Sequence, residues 1–399
     1  MKERFRPLFK PLILPNGSRL DSRFVLSPMV TNSSTKNGYV TQDDVSYALR
    51  RAESAPLQIT GAAYVDPYGQ LFKYGFSVAK DADIPGLKKL AQAMKAKGAK
   101  AVLQLTHAGR FASQTLANYG FVYGPSYMQL RSPQPHEVKP LTGQQIEELI
   151  AAYAQAAWRA IQAGFDGVEV SSAQRLLIQS FFSTFSNQRT DSYGGQSLAS
   201  RAKLTLEVLQ AVHRVIKQEA PDGFIFGFRA TPEETRGHNI GYAIEDFLQL
   251  MDWALEVAEL DYLAIASWGH HVFRNTVRSP GSYYGQLVNQ VVWEHLNNRL
   301  PVMATGGINT PEKAIEALAH SDFVGVSTSL VVDPEFAHKI KEGREEAICL
   351  RIRPEDLASL AIPQASFKDI VPLMDYGESL PEESRELFRS LAQYYKEEE

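Results

Sequence analysis

Short apolar runs separated by longer segments of helical periodicity constrain this chain more than any other feature. Eight runs have the length of buried strands: residues 24–29, 57–62, 101–105, 167–170, 224–228, 262–266, 302–304 and 323–326. Several are apolar almost throughout, which is typical of strands in a parallel sheet that is covered on both faces. Strand and helix patterns in alternation predict βα units.

The segments between the runs carry apolar residues at three- and four-residue steps, as an amphipathic helix does. The clearest of these helical faces comprises Ile146, Leu149, Tyr153, Ala157, Ala160 and Ile161, with Gly164 after it as a stop signal. Eight strands alternating with helices favour an α/β fold of the (β/α)8 TIM-barrel type. An open doubly wound sheet is the alternative, but no Gly-x-Gly-x-x-Gly motif follows the first run.

Additional structure is predicted on either side of the barrel pattern. Residues 12–14 and 19–20 flank Pro15-Asn16-Gly17-Ser18, which predicts a β-hairpin that caps the N-terminal mouth of the barrel. Residues 1–342 are assigned to the barrel, and residues 343–399 to a C-terminal helical extension with one amphipathic helix. The extension packs on the barrel or on a second subunit of a homo-oligomer, and the sequence is compatible with both.

Composition and charge exclude several classes of partner. A formal net charge of −4 provides no basic patch for nucleic acid, and no run of about 18 apolar residues exists to cross a membrane. The only cysteine, Cys349, excludes an intramolecular disulfide and a cysteine-ligated iron–sulfur cluster, and no metal site is predicted. Charges and prolines interrupt residues 1–17, where a signal peptide would be apolar. A cytoplasmic enzyme with a small-molecule substrate is therefore expected.

Candidate site residues stand at the ends of the apolar runs, because the active sites of barrels of this kind lie at the C-terminal ends of the strands. From the first run to the last, these are Ser27, Pro28, Met29, Val30, Ala62, Gln104, Arg229, Gly306, Gly307, Ser327 and Thr328. Gly306 and Gly307 expose backbone N–H groups without side-chain obstruction, which suits a phosphate. Because phosphate-binding barrels have many functions, a lyase or isomerase is one candidate function.

Two segments carry residue patterns typical of one enzyme family. Residues 186–195 read Ser-Asn-Gln-Arg-Thr-Asp-Ser-Tyr-Gly-Gly, and residues 104–110 read Gln-Leu-Thr-His-Ala-Gly-Arg. In both segments the chain resembles the old yellow enzyme family of FMN oxidoreductases. The resemblance implies FMN as the cofactor and NADH or NADPH as the reductant.

The resemblance also assigns roles to the strand-end residues. It places Ser27, Pro28, Met29 and Val30 along the isoalloxazine ring, and Gly306, Gly307, Ser327 and Thr328 around the phosphate of FMN. Ala62 is a small residue that permits close approach of a flat ring, and packing against a neighbouring helix would explain it equally well. Gln104 would bind the pyrimidine edge, and Arg229 would stabilise the negative charge that this edge gains on reduction. An ion pair of Arg229 with Glu233 or Glu234 is the alternative. Val30 cannot donate a hydrogen bond to the flavin O4, so a flavin that is harder to reduce is expected.

The chain departs from the family pattern where a substrate would bind. Family members carry His-x-x-His or His-x-x-Asn, followed two residues later by a proton-donating Tyr, and the corresponding residues here are Ser171, Gln174 and Leu176. Ser171 and Gln174 are predicted to bind substrate, Leu176 cannot donate a proton, and no catalytic residue is assigned. We therefore expect an oxidoreductase with an unidentified acceptor and weak classical ene-reductase activity. A flavin-binding barrel with little or no reductase activity is the alternative.

Further residues are candidates for completing this pocket. Tyr64, Tyr283 and Tyr284 could replace the missing proton donor. Trp268, His270 and His271 follow the sixth run and could line the same space.

Overall fold

The eight predicted apolar runs form a closed parallel barrel. The computed structural model describes residues 1–131, 134–363 and 379–397. The barrel strands are β1 (Phe24–Leu26), β2 (Leu57–Tyr64), β3 (Lys100–Thr106), β4 (Gly167–Ser172), β5 (Ile225–Ala230), β6 (Tyr262–Ile265), β7 (Val302–Thr305) and β8 (Phe323–Val326). Each strand pairs in parallel with the next in the chain, and β8 pairs with β1. The predicted (β/α)8 barrel is confirmed, and closure of the sheet excludes the open doubly wound alternative.

A helix follows every strand and covers the outside of the barrel. These helices are α1 (Gln42–Arg50), α2 (Ile84–Lys95), α3 (Gly143–Gln162), α4 (Leu198–Glu219), α5 (Ile244–Val257), α6 (Val288–Leu296), α7 (Pro311–Leu318) and α8 (Phe336–Glu342). In α3 the predicted apolar face is buried, with Ile146, Tyr153 and Ala157 each 0% exposed. The predicted stop is also confirmed, because α3 ends at Gln162 and Gly164 has a φ of +80°.

The N-terminal mouth of the barrel is closed by apolar packing and by a hairpin. Leu14 and Leu20 belong to one buried cluster with Val25 of β1 and Phe323 of β8. The hairpin pairs Leu12–Ile13 with Arg19–Leu20 in antiparallel register. At its turn, the backbone N–H of Asn16 donates to Oδ1 of Asp261 at 2.9 Å, and its Nδ2 donates to the carbonyl of Gly223 at 3.0 Å. Since Asp261 and Gly223 precede barrel strands, the predicted position of the hairpin is confirmed.

Two insertions that the sequence patterns did not indicate add short strands at the opposite mouth. A three-stranded sheet of Phe121–Gly124, Met128–Leu130 and His136–Pro140 lies between β3 and α3, and a hairpin of Glu234–Arg236 and Asn239–Tyr242 follows β5. Arg189, in the loop after β4, donates from Nη1 to the carbonyl of Leu141 at 2.6 Å. The loop at 186–195 therefore clamps the chain between β3 and α3.

The chain beyond α8 packs against the barrel within this structure. Ile352, Leu360 and Phe388 form a buried cluster with Val331 and Val332. The last helix spans Glu382–Glu397, close to the predicted range. The division into a barrel of residues 1–342 and an extension of residues 343–399 stays a prediction. None of the helices among the described residues combines the length and the apolar character that a bilayer crossing demands.

Candidate functional site

A cavity of about 370 Å³ opens at the C-terminal mouth of the barrel. It is lined by residues from the ends of all eight strands. All of the residues predicted to bind cofactor or substrate lie in its wall: Ser27, Pro28, Met29, Val30, Ala62, Gln104, Ser171, Gln174, Arg229, Gly306, Gly307, Ser327 and Thr328. The structure thus brings together residues that are up to about 300 positions apart in the sequence, while the role of each residue stays a prediction.

Gln104 is held from behind by a buried carboxylate. Its Nε2 donates to Oε1 of Glu169 on β4 at 2.7 Å, and the hydroxyl of Tyr262 on β6 donates to Oε2 at 2.9 Å. Glu169 is 0% exposed, and this burial raises the pKa of its carboxyl group. Sequence reasoning missed Glu169, although a charged residue between Val168 and Val170 in a strand buried on both faces was a signal for it.

Arg229 is a buried cation in the wall of the cavity, and it forms no ion pair with a carboxylate of the described residues. It is 9% exposed, and its Nη1 makes no hydrogen bond within the described chain. Burial lowers the pKa of the Arg229 guanidinium, while the charge of Glu169 acts in the opposite direction. An arginine buried in this way is costly unless a ligand or a carboxylate compensates it. The arrangement fits a ligand with a negative or acceptor-rich edge.

The expected alternative partners of Arg229 are occupied elsewhere, so that alternative is wrong. Glu233 accepts the backbone N–H groups of Arg278 at 2.9 Å and Ser279 at 2.8 Å. Glu234 forms an ion pair with Nη2 of Arg236 at 2.6 Å. Neither carboxylate forms an ion pair with Arg229 within 4.0 Å in the described part of the chain.

The backbone after β4 is strained where it presents Gln174 to the cavity. Gln174 has a φ of +56° and Arg175 a φ of +63°, values that non-glycine residues adopt rarely. The N–H of Gln174 donates to Oγ1 of Thr231 at 3.2 Å, and that of Arg175 donates to Oε1 of Gln179 at 2.5 Å. Such strain costs about 1–3 kcal/mol per residue and persists where the surroundings enforce it, typically at functional sites.

The glycines after β7 allow two loops to approach each other. Gly306 and Gly307 have φ values of +87° and +77°, and a Cβ on Gly307 would lie 2.1 Å from the carbonyl oxygen of His270. The loop after β6 therefore rests directly on these glycines. After the neighbouring strand β8, Ser327 precedes and Thr328 begins the short helix Thr328–Val332, and both residues line the cavity. This end of the cavity can donate hydrogen bonds to an anion.

The remaining candidates divide between the cavity and other places. Trp268 and His270 line the cavity, as does Leu176. His271 is not part of its wall, nor are the candidate proton donors, of which Tyr284 is 70% exposed. The wall also contains residues that sequence reasoning missed: Leu71, Phe72, Phe111, Ser267, Gly269, Val272 and Ser379. Most of these lie in loops, which carry no periodic pattern to indicate their position.

Comparison with known proteins agrees with this arrangement. Residues 7–347 match the model of the NADH:flavin oxidoreductase / NADH oxidase family. The chain is 84% identical over its whole length to an uncharacterized oxidoreductase of Streptococcus pyogenes serotype M5, and both chains are covered completely. It is 32% identical to a probable NADH-dependent flavin oxidoreductase of Bacillus subtilis, covering 93% of this chain and 97% of the relative.

A solved structure with the same architecture completes the comparison. Morphinone reductase in complex with tetrahydroNAD superposes with a TM-score of 0.70 at 25% identity, over 87% of this chain and 93% of that chain. These similarities support an oxidoreductase that uses FMN and takes electrons from NADH or NADPH, and they give no support to the lyase or isomerase alternative. The chain belongs to the NADH:flavin oxidoreductase / NADH oxidase family, which includes the old yellow enzymes.

Proposed function

We propose that the cavity binds FMN with the polar edge of its ring along Gln104 and Arg229. The bound cofactor would supply a ring that accepts hydride from NADH or NADPH and passes it to a small-molecule acceptor. The observation that carries this proposal is the buried guanidinium of Arg229, whose Nη1 makes no hydrogen bond within the described chain. A positive charge placed there stabilises negative charge that develops on a neighbouring ring, and it needs no reorganisation to do so.

The opposite end of the cavity suits the phosphate of the cofactor. Backbone N–H groups near Gly306 and Gly307 and the hydroxyls of Ser327 and Thr328 would donate hydrogen bonds to it. No lysine or arginine other than Arg229 lines the described wall. Because hydrogen bonds from neutral donors are weaker than charge-assisted ones, we expect a lower affinity for FMN than a site with a phosphate-pairing cation would have.

The acceptor side of the cavity supports a substrate other than the usual activated alkenes. Ser171 and Gln174 offer a hydroxyl and an amide, and Gln174 can also bind the carboxamide of a nicotinamide. Leu176 lines the cavity, and its aliphatic side chain can transfer no proton. The resemblance to the family places the proton donor at this position. A general acid typically contributes 10²–10⁴-fold to such a step, so reduction of simple enones should be slow.

Colour and its loss under anaerobic conditions test this function. We expect the purified protein to be yellow after loading with FMN, to bleach on anaerobic addition of NADPH or NADH, and to turn over simple enones slowly. A protein that stays colourless with added FMN would exclude the proposed cofactor site. A yellow protein that does not bleach with either nucleotide would favour the alternative of a flavin-binding barrel with little reductase activity.

The proposal extends to the organisation of the chain. Residues 343–399 would form an extension to a barrel of residues 1–342, and the contacts of Ile352, Leu360 and Phe388 with Val331 and Val332 support packing on the barrel. A cytoplasmic location is consistent with a reductant that is supplied there as NADH or NADPH. Limited proteolysis that released an intact barrel from a separate C-terminal fragment would support this division.

A further inference from the structure

Glu169 is a buried carboxylate that the proposed reaction does not use directly. It is 0% exposed and lies in β4, outside the wall of the cavity. Both of its oxygens accept hydrogen bonds, one from Gln104 at 2.7 Å and one from Tyr262 at 2.9 Å. A carboxylate in such a place is expensive to bury, so its retention inside an apolar strand calls for a reason.

One effect of Glu169 is to orient the Gln104 amide. A carboxylate only accepts hydrogen bonds, so the nitrogen of Gln104 and not its oxygen must face Glu169. Oε1 of Gln104 accepts no hydrogen bond from the described residues and is left for the cavity. Without the carboxylate, either end of this amide could face the cavity.

A second effect of Glu169 is electrostatic. No carboxylate lies within 4.0 Å of Arg229 in the described residues, yet the charges of Glu169 and Arg229 influence each other through the barrel interior. Charges interact strongly in such a medium, since little water is present to screen them. Glu169 therefore offsets part of the positive potential that Arg229 projects into the cavity.

We propose that Glu169 is a positioning residue that lowers the reduction potential of the bound flavin, by fixing the orientation of Gln104 and by offsetting the charge of Arg229. This inference rests on the proposed site of FMN. A flavin that accepts a hydride gains one negative charge. The negative charge of Glu169, on the strand next to that of Arg229, disfavours this gain. A flavin held at a lower potential is a stronger hydride donor and suits an acceptor that is difficult to reduce.

The effect should depend on pH with a definite sign. The charged and titratable groups that act on Glu169 are Arg229 on β5 and Tyr262 on β6, and Gln104 on β3 is its other polar contact. Burial raises the pKa of Glu169, while these neighbours oppose that rise. Above this pKa the carboxyl group is charged and holds the potential down. Below it the group is neutral, so its influence on the potential disappears as the pH falls.

The test compares the flavin potential of the FMN-loaded wild type with that of Glu169→Gln, a variant of nearly equal shape without the charge. We expect the potential of Glu169→Gln to be higher at alkaline pH, by an amount equivalent to at least a tenfold change in the equilibrium constant, or about 30 mV for a two-electron couple. The difference should shrink towards acid pH. Equal potentials at every pH would overturn the inference while leaving the proposed function intact, whereas a wild type that binds no FMN would remove the proposed function itself.

Two further variants test whether a change in flavin potential arises from the charge of Glu169 or from a general disturbance of the barrel. Tyr262→Phe keeps the carboxylate of Glu169 but removes a hydrogen-bond donor to it, which should raise the pKa of Glu169. In a plot of flavin potential against pH, the change of slope should therefore move to higher pH. An unchanged plot would contradict the inference. Asp322→Asn is the matched control, because this carboxylate accepts the backbone N–H of Val302 at 2.8 Å next to β8, outside the Glu169 network. A potential shift in Asp322→Asn as large as that in Glu169→Gln would also overturn the inference.

Discussion

The two mouths of the barrel contain arginines in opposite situations. At the N-terminal mouth, Arg23 donates to the carbonyl of Asp322 at 2.7 Å, to that of Lys10 at 2.9 Å and to that of Pro11 at 3.0 Å. At the C-terminal mouth, Nη1 of Arg229 is buried and makes no hydrogen bond within the described chain. The same barrel thus holds one arginine whose hydrogen bonds are made within the chain and another whose Nη1 makes none among the described residues. Arg23 therefore stabilises the fold, whereas Arg229 is available to bind a ligand in the cavity.

The largest expected effect is that of Arg229→Met. Loss of one preorganised charge at the reacting ring should slow reduction of bound FMN by NADPH by about 10²–10³-fold. The unfolding free energy of the FMN-free protein should change little, because the lost cation forms no ion pair in the described residues, while the buried Glu169 loses the opposite charge that acts on it. Anaerobic stopped-flow absorbance and denaturant unfolding measure the two quantities. If Arg229→Met lowers the unfolding free energy as well as the rate of FMN reduction, Arg229 stabilises the fold, as Arg23 does.

Leu176→Tyr adds a proton donor to the cavity at the C-terminal mouth of the barrel. A phenol at this position of the cavity wall can protonate a carbon acceptor, so reduction of simple enones should accelerate by about 10²-fold, the lower end of general-acid catalysis. Steady-state rates with cyclohexenone provide the measurement, and Leu176→Phe is the control for ring volume. Equal rates in the Tyr and Phe variants would show that the acceptor side is organised differently from the proposal.

Arg23→Met tests the N-terminal mouth. Three hydrogen bonds from a charged donor to carbonyl groups are lost, which should lower the unfolding free energy by about 2 kcal/mol after allowance for solvent at this half-buried side chain. The visible spectrum and potential of the FMN-loaded protein should not change. A spectral change in this variant would show that the two mouths are not independent.

The smallest expected effect is that of Val30→Thr. The new hydroxyl can donate one hydrogen bond to a ring placed along the cavity wall, which is worth about 1 kcal/mol, so the flavin potential should rise slightly. Potentiometric titration of both FMN-loaded proteins checks this, with Val30→Ala as the control for loss of side-chain volume. A wild-type potential equal to that of family members with a donor at this position would contradict the expectation of a flavin that is harder to reduce.

Much of the fold could be predicted because barrel strands that are buried on both faces consist mostly of apolar residues. Each barrel strand overlaps a predicted run that is mostly apolar, and the predicted α3 face recurs with the helical period, so neither needs tertiary information. The strands of the two insertions are three to five residues long, which is too short for a period to emerge. They form because the rest of the chain positions them.

The sequence indicated which strand-end residues lie in the cavity wall, but not the residue behind them, and the role of each stays a prediction. Gln104 and Arg229 were identified because a polar side chain at the end of an apolar run is conspicuous in the sequence. Glu169 was missed, since its partners Gln104 and Tyr262 come from strands that only the closed barrel brings together. Gly307 itself was predicted, but its close approach to the carbonyl of His270 was not, because it joins loops from different strands.

Arg51 joins the short helix at the cavity wall to the chain near Leu360. Its guanidinium is buried and donates to the carbonyls of Leu330 and Val331, in the short helix that starts at Thr328, and also to that of Leu360. If either the short helix or the chain near Leu360 moves away, the buried guanidinium of Arg51 loses hydrogen-bond acceptors. Thermodynamic coupling is reciprocal, so bound FMN should protect the peptide bonds near Leu360 from proteases, and cleavage there should accelerate the release of FMN.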